Sequence, residues 1–254
     1  MAIRFASLGS GSKGNGTLVE SGDTCVLVDC GFSIRETERR LARLGRSPAD
    51  LQGVLLTHEH TDHSRGVLPL ARKYRLPLIA SHGSLGAVAG DGVMEAREIR
   101  DRQPFVIGGL VVEPVTVPHD AREPLQFIFV ANGRRVGILT DLGAITPHVV
   151  SHFGGCDGLL LEANHDVEML RDGPYPPALK RRVGGSWGHL NNHQSAQLLA
   201  QMDRSRLQTL VLGHISQQNN AQGRVAEAVA PFARDIPNLH YACQDQGFDW
   251  QVVE

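Results

Sequence analysis

The stretch Val54-Leu55-Leu56-Thr57-His58-Glu59-His60-Thr61-Asp62-His63 decides how this chain is read. Its first four residues are apolar or β-branched, as in a strand buried on both faces, and at His58 the chain turns polar. Three histidines and one aspartate follow in quick succession. Imidazole nitrogens with a carboxylate are donors that suit Zn(II), and less selectively Mn(II) or Fe(II). In a loop leaving a strand, His58 and His60 can turn toward one ion while Asp62 and His63 reach a second. One stretch cannot fill two coordination spheres, so the reading requires ligands elsewhere.

Three remote residues answer that requirement. His119 follows an apolar run at 110–117, Asp141 one at 135–140, and His214 one at 209–213. Polar residues at the ends of apolar strands are where sheet proteins gather active-site groups. Further strand-like runs lie at 3–8, 17–20, 26–29, 54–57, 78–80, 125–131, 158–162, 239–242 and 248–252. Helical periodicity marks 34–44, capped by Ser33, together with 67–74, 147–153, 192–202 and 222–232. Strands in hairpin-like succession, with helices interleaved, predict an α/β fold in which two packed sheets carry helices outside, rather than a doubly wound parallel sheet. Two β/α halves related by a pseudo-twofold are compatible with this pattern, meeting past Val130, although no internal repeat marks them. No Pro/Ser-rich linker divides the chain, and residues 1–254 are expected to form one domain.

Composition narrows the class. The 254 residues are 41% hydrophobic and 20% charged, ordinary for a globular protein able to bury a full core. The N-terminal residues run straight into a strand with no signal-peptide pattern, and no apolar stretch is long enough for a membrane span. The four cysteines are scattered without a C-x-x-C pair, which reads as reduced thiols in a cytoplasmic protein. A net charge of −2 neither favours nor opposes a polyanionic partner.

The order H-x-H-x-D-H, lone His119, strand-terminal Thr140-Asp141 and final Gly213-His214 resembles the metallo-β-lactamase superfamily. That resemblance implies a four-layered αβ/βα sandwich. It implies that His58, His60 and His119 hold a first metal and that Asp62, His63 and His214 hold a second, with Asp141 bridging. Asp29, after Val26-Leu27-Val28, matches the superfamily's first aspartate, which supports the metal loop. The segments Leu8-Gly9-Ser10-Gly11-Ser12-Lys13-Gly14-Asn15-Gly16, Glu162-Ala163-Asn164-His165, Gly173-Pro174-Tyr175-Pro176, Gly188-His189-Leu190-Asn191-Asn192 and Leu212-Gly213-His214-Ile215-Ser216 narrow it to the YycJ/WalJ-like subfamily. The subfamily implies a metal-dependent nuclease acting on DNA from 5′ to 3′. A small-molecule or cyclic-nucleotide phosphodiesterase is the nearest alternative, and a catalytically silent metal-binding regulator the alternative of another class. The metal motif alone also admits a thioesterase or a lactonase. A histidine at position 60, where flavodiiron-type proteins carry glutamate, argues for hydrolysis.

For phosphodiester hydrolysis the catalytic candidates are Asp62, to orient the attacking water, and His189, to protonate the leaving alkoxide. His189 stands just before a predicted helix whose N-terminus favours phosphate. Substrate contacts are expected from the Gly-rich turn through Ser10, Ser12, Lys13 and Asn15, from His165, and from the basic run Lys180-Arg181-Arg182. A Gly-rich turn on its own is more often an ordinary hairpin loop, and His165 and Asp166 can equally serve a turn. Tyr175 and Trp187 flank the basic run and suit base stacking, or, for Trp187, core packing. Glu162 either serves the site or only ends a strand.

Overall fold

A computed structural model describes residues 2–88 and 95–254. The first sheet takes β1 (Ile3–Gly9), β2 (Gly16–Ser21), β3 (Thr24–Val28), β4 (Val54–Leu55), β5 (Leu78–Ala80) and β6 (Ala96–Glu98). The second takes β7 (Phe105–Ile107), β8 (Leu110–Thr116), β9 (Leu125–Ala131), β10 (Arg134–Leu139), β11 (Gly158–Glu162), β12 (Thr209–Gly213) and β13 (Asn238–Tyr241). The last strand, β14 (Phe248–Val253), returns to pair with β1, giving the orders β14-β1-β2-β3-β4-β5-β6 and β13-β12-β11-β10-β9-β8-β7.

The two sheets follow one plan. From β14 through β3 the pairings are antiparallel, and from β3 to β6 they are parallel. From β7 through β10 they are antiparallel, and from β10 to β13 parallel. The pseudo-twofold is therefore present, but its halves meet between β6 and β7, earlier than Val130. The C-terminal strand β14 completes the first half, which shifts the apparent midpoint of the chain.

Alternation along the strands sorts side chains into layers. Val26, Val28, Leu55, Ile79, Phe127, Phe129, Leu160 and Val211 fill the space between the sheets. Leu27, Val54, Leu56 and Leu78 face α1 (Ile34–Arg43) and α3 (Val67–Tyr74) through Leu41, Val67 and Leu70. Ile128, Leu159, Leu161, Leu210 and Leu212 face α5 (Pro147–Phe153), α8 (Asn192–Gln201) and α9 (Gln222–Ala233). The result is the expected αβ/βα sandwich. The short helices α2 (Thr61–Ser64), α4 (His82–Val88), α6 (Val167–Asp172) and α7 (Pro177–Val183), with a single 3-10 turn at Pro48–Asp50, complete the elements among the described residues. Sequence periodicity missed these four helices together with β6 and β7. Among the described residues no helix is long and apolar enough to cross a membrane.

Parallel neighbours end on the same edge, so β3 and β4 deliver Asp29 and His58 beside each other, and β10, β11 and β12 deliver Asp141, Glu162 and His214. At that edge Asp29, Asp141 and His214 all take left-handed backbone, with φ of 62°, 54° and 53°. A non-glycine residue there costs about 1 kcal/mol, and the sharp turn aims each side chain back across its strand end.

Candidate metal centre and active-site cleft

The histidine loop is held from behind. Asp29 accepts from the Thr57 N–H at 2.8 Å and the Thr57 hydroxyl at 2.9 and 3.0 Å, and its Oδ2 lies 2.8 Å from His63 Nδ1. The one-turn α2 follows His60, whose carbonyl accepts from His63 and Ser64. Gly31 lets the β3 turn press against that loop, since a Cβ there would lie 1.8 Å from the Asp62 carbonyl oxygen.

Two groups of donors converge. His58 Nε2 and His119 Nε2 lie 3.1 and 3.2 Å from His60 Nδ1. The Nδ1–H of His119 donates to the Gly188 carbonyl at 2.9 Å, so in neutral His119 the Nε2 lone pair is bare. Burial, then the neighbouring His63, holds His58 well below the usual imidazole range, and burial lowers His119 as well. Three imidazole rings thus turn nitrogens on one point. In the second group His63 Nε2 stands 3.5 Å from Asp62 Oδ2 and 3.3 Å from Asp141 Oδ2, with His214 Nε2 3.7 Å from Asp62 Oδ2. Burial opposes charge on His63 and His214, yet Asp141 and its neighbouring carboxylates push both well above the usual range.

These facts test the fit to metal. Asp141 Oδ2 is buried and has no hydrogen-bond partner. The Nδ1 atoms of His63 and His214 lie beside carboxylates, which leaves Nε2 as the atom of each ring that can face a cation. The sets His58-His60-His119, Asp62-His63-His214 and His58-His63-Asp141 each bring their donor atoms within 4.8 Å of one another. Imidazole and carboxylate donors so gathered make a divalent-metal site.

Glu162 serves this edge rather than merely ending β11. Its fully buried carboxylate accepts from His189 Nδ1 at 2.8 Å, His214 Nδ1 at 3.1 Å and the N–H groups of Asp141, Leu142 and Leu190 at 3.0 to 3.2 Å. Burial pushes it upward, but His189 and His214 hold it at about 2. Although Asp141, Glu162, His189 and His214 also cluster, the bonds to Glu162 make it an orienting group. It fixes the Nδ1 side of His189 and leaves Nε2 available. The signal was legible, because an acid ending an apolar strand is the same pattern that marked Asp141.

Above the donors lies a cleft of about 460 Å³, lined by Ser12, Asp62, Asp120, Asp141, Tyr175, Arg182, His189 and His214 among others. The remaining expected substrate contacts fare differently. The Gly-rich turn is no phosphate cradle: the N–H groups of Ser10, Gly11, Lys13, Gly14 and Asn15 go to Cys243, Asn15, Gln244, Gly11 and Asp62. Ser10 is buried, and its hydroxyl accepts from the His214 N–H at 2.8 Å. Asn15 is also buried, its Nδ2 3.0 Å from His63 Nε2. Both therefore brace the donor set. Lys13 is exposed and absent from the cleft lining. His165 is buried outside the lining, pushed down to about 4 by burial, and its backbone bridges to Asn191. Asp166 caps α6. Lys180 donates to the Arg171 carbonyl and Arg181 is exposed, so of the basic run only Arg182 lines the cleft. Trp187 is 64% exposed, which removes the core-packing alternative. Sequence reasoning gave no role to Thr57 or Asp120, although each adjoins an expected ligand (His58 and His119), nor to Gln244, which stands in no recognisable motif.

Comparison with known proteins agrees with this construction. Residues 24–215 match the family described as Beta-lactamase superfamily domain. The chain is 34% identical to exodeoxyribonuclease WalJ of Streptococcus pneumoniae serotype 2 over 226 residues, 87% of this chain and 84% of that protein. It is 35% identical to exodeoxyribonuclease YycJ of Bacillus anthracis, over 87% of this chain and 85% of that one. The solved metallo-beta-lactamase fold protein YhfI from Bacillus subtilis superposes with a TM-score of 0.75 over 99% of this chain and 100% of its own, at 18% identity. The chain belongs to the beta-lactamase superfamily and, within it, to the family of the WalJ and YycJ exodeoxyribonucleases.

Proposed function

We propose that this chain is a metal-dependent phosphodiesterase that degrades DNA from the 5′ end. The observation that carries the chemistry is that Asp141, whose buried Oδ2 has no hydrogen-bond partner, gathers with His58 of one donor group and His63 of the other at the cleft. The identity to two exodeoxyribonucleases over most of the chain supports nucleic acid, and specifically DNA, as substrate.

In this reading His58, His60 and His119 would hold one divalent ion and Asp62, His63 and His214 a second, with Asp141 beside both groups. Zinc suits the nitrogen and carboxylate donors best, while manganese or iron is also accommodated. Two such ions supply a nucleophile from water near neutral pH and offset charge developing on the phosphoryl group. Asp62, a quarter exposed to the cleft, orients the attacking water. His189 is held at Nδ1 by Glu162 and presents Nε2 to the cleft, from which it gives a proton to the leaving alkoxide. Arg182 is the cationic contact for the strand, and Ser12 and Tyr175 line its path. Asp29, Ser10, Asn15 and Glu162 keep the donors aimed.

The test offers 5′-labelled duplex DNA, single-stranded DNA, RNA and cyclic nucleotides side by side, with metal added back. Stepwise loss of 5′ nucleotides from DNA is the expected outcome. Cleavage of cyclic nucleotides alone would replace the reading with a small-molecule phosphodiesterase, for which the nucleotide-scale cleft would also serve. Metal binding without hydrolysis of any substrate would point to a silent regulator.

A further inference from the structure

We propose that Arg182 binds a non-scissile phosphate of the nucleic-acid strand through Nη1 and Nη2, and that Asp120 is the positioning residue that aims this fork into the cleft. The proposal rests on the nuclease reading above.

The geometry separates Arg182 from its basic neighbours. Helix α7 has no fully buried residue, so little packing fixes its side chains. Arg182 is fixed instead by one bond, Nε to Asp120 Oδ2 at 2.5 Å. That bond uses the side of the guanidinium. Among the described residues neither Nη atom has a partner, so the planar end that grips phosphate bidentately remains free, and it borders the cleft.

Asp120 is itself referenced to the metal centre. It follows His119 directly, and its other carboxylate oxygen lies 3.6 Å from His119 Nε2 and 3.8 Å from His60 Nε2. Its N–H donates to the Trp187 carbonyl at 2.9 Å, while His119 Nδ1 donates to the adjacent Gly188 carbonyl. The fork therefore stands at a set distance from the donors that would act on the scissile phosphate. A flexible lysine on an unpinned helix would give charge without that register. A strand phosphate next to the scissile one matches the fork in charge, geometry and place.

The test measures steady-state degradation of 5′-labelled oligonucleotides in which one phosphate at a time is replaced by a neutral methylphosphonate. Arg182→Gln is expected to raise KM about tenfold while kcat changes less than about threefold. At one position beside the scissile bond the methylphosphonate raises the wild-type KM by a similar factor, yet adds nothing to Arg182→Gln. At other positions the two effects multiply. Asp120→Asn gives an intermediate rise, Asp120→Glu recovers part of it, and Arg182→Lys does not match wild type because an ammonium has no fork. A scan in which no position couples to Arg182 would overturn the proposal and leave the nuclease reading standing. A wild-type scan without any position-specific rise in KM would do the same, independently of how the variants fold. Wild-type protein that degrades no strand with any added metal would overturn both.

Discussion

Strand β11 has a buried carboxylate at each end, and the two meet different partners. Asp157, just before the strand, receives the Arg134 and Arg206 guanidiniums at 3.0 Å and the Arg135 N–H at 2.9 Å. Glu162, its last residue, receives the His189 and His214 imidazoles and three backbone N–H groups. Both carboxylates are fully buried. A guanidinium keeps its charge and has no lone pair, so Asp157 can only clamp. An imidazole held at Nδ1 still has Nε2 with which to bind a cation or pass a proton. On the proposed function, the partner's chemistry, rather than burial, is what makes one end of the strand structural and the other reactive.

The strongest way to break this contrast is to neutralise each carboxylate in turn. Glu162→Gln is expected to lower hydrolysis about a hundredfold, because the neutral amide removes the charge beside His189 and His214 and sets an NH2 donor in place of the Oε2 that accepts from the Leu142 and Leu190 N–H groups. Circular dichroism should show the protein still folded. Asp157→Asn is expected to do the reverse, costing about 2 kcal/mol of stability in denaturant titration while activity per folded molecule changes less than about twofold. An equal loss of activity in both variants at matched stability would erase the distinction.

A third carboxylate sharpens the comparison with the smallest effect. Glu20 pairs with Arg4 at 2.6 Å and Arg46 at 2.8 Å, and although burial opposes it, the arginines hold it below the ordinary value of 4.5. A depressed folded value means that the stabilisation is complete above the unfolded value and is lost as pH falls through the folded one. Glu20→Gln should therefore cost about 1 kcal/mol at neutral pH, both arginines being partly exposed. Its deficit relative to wild type should shrink steadily below pH 4.5. A deficit that stays constant down to pH 2 would show that packing, not charge, stabilises this cluster.

Much of the fold and donor set was legible because buried strands leave continuous apolar runs that end abruptly in polar residues. His58, Asp141 and His214 all carry that mark, and Glu162 carries it as well. Two of the elements that escaped lack a buried face to betray them. The edge strand β6 is exposed throughout, and α7 buries no residue, so neither shows a hydrophobic period. The Gly-rich turn misled for another reason. Its apparently free N–H groups are occupied partly by Cys243 and Gln244, more than two hundred residues away, and composition cannot reveal a partner at that distance. The basic run failed likewise, since only the helix orientation separates Arg182 from Lys180 and Arg181.

The most direct test of the reactive edge is the number of divalent ions bound per chain, measured by elemental analysis after chelation, reconstitution and desalting. The expected result is about two ions for wild type and about one after His58→Ala or His63→Ala. Fewer than one ion in the wild type, or an unchanged content in both variants, would contradict a metal centre built from these donors.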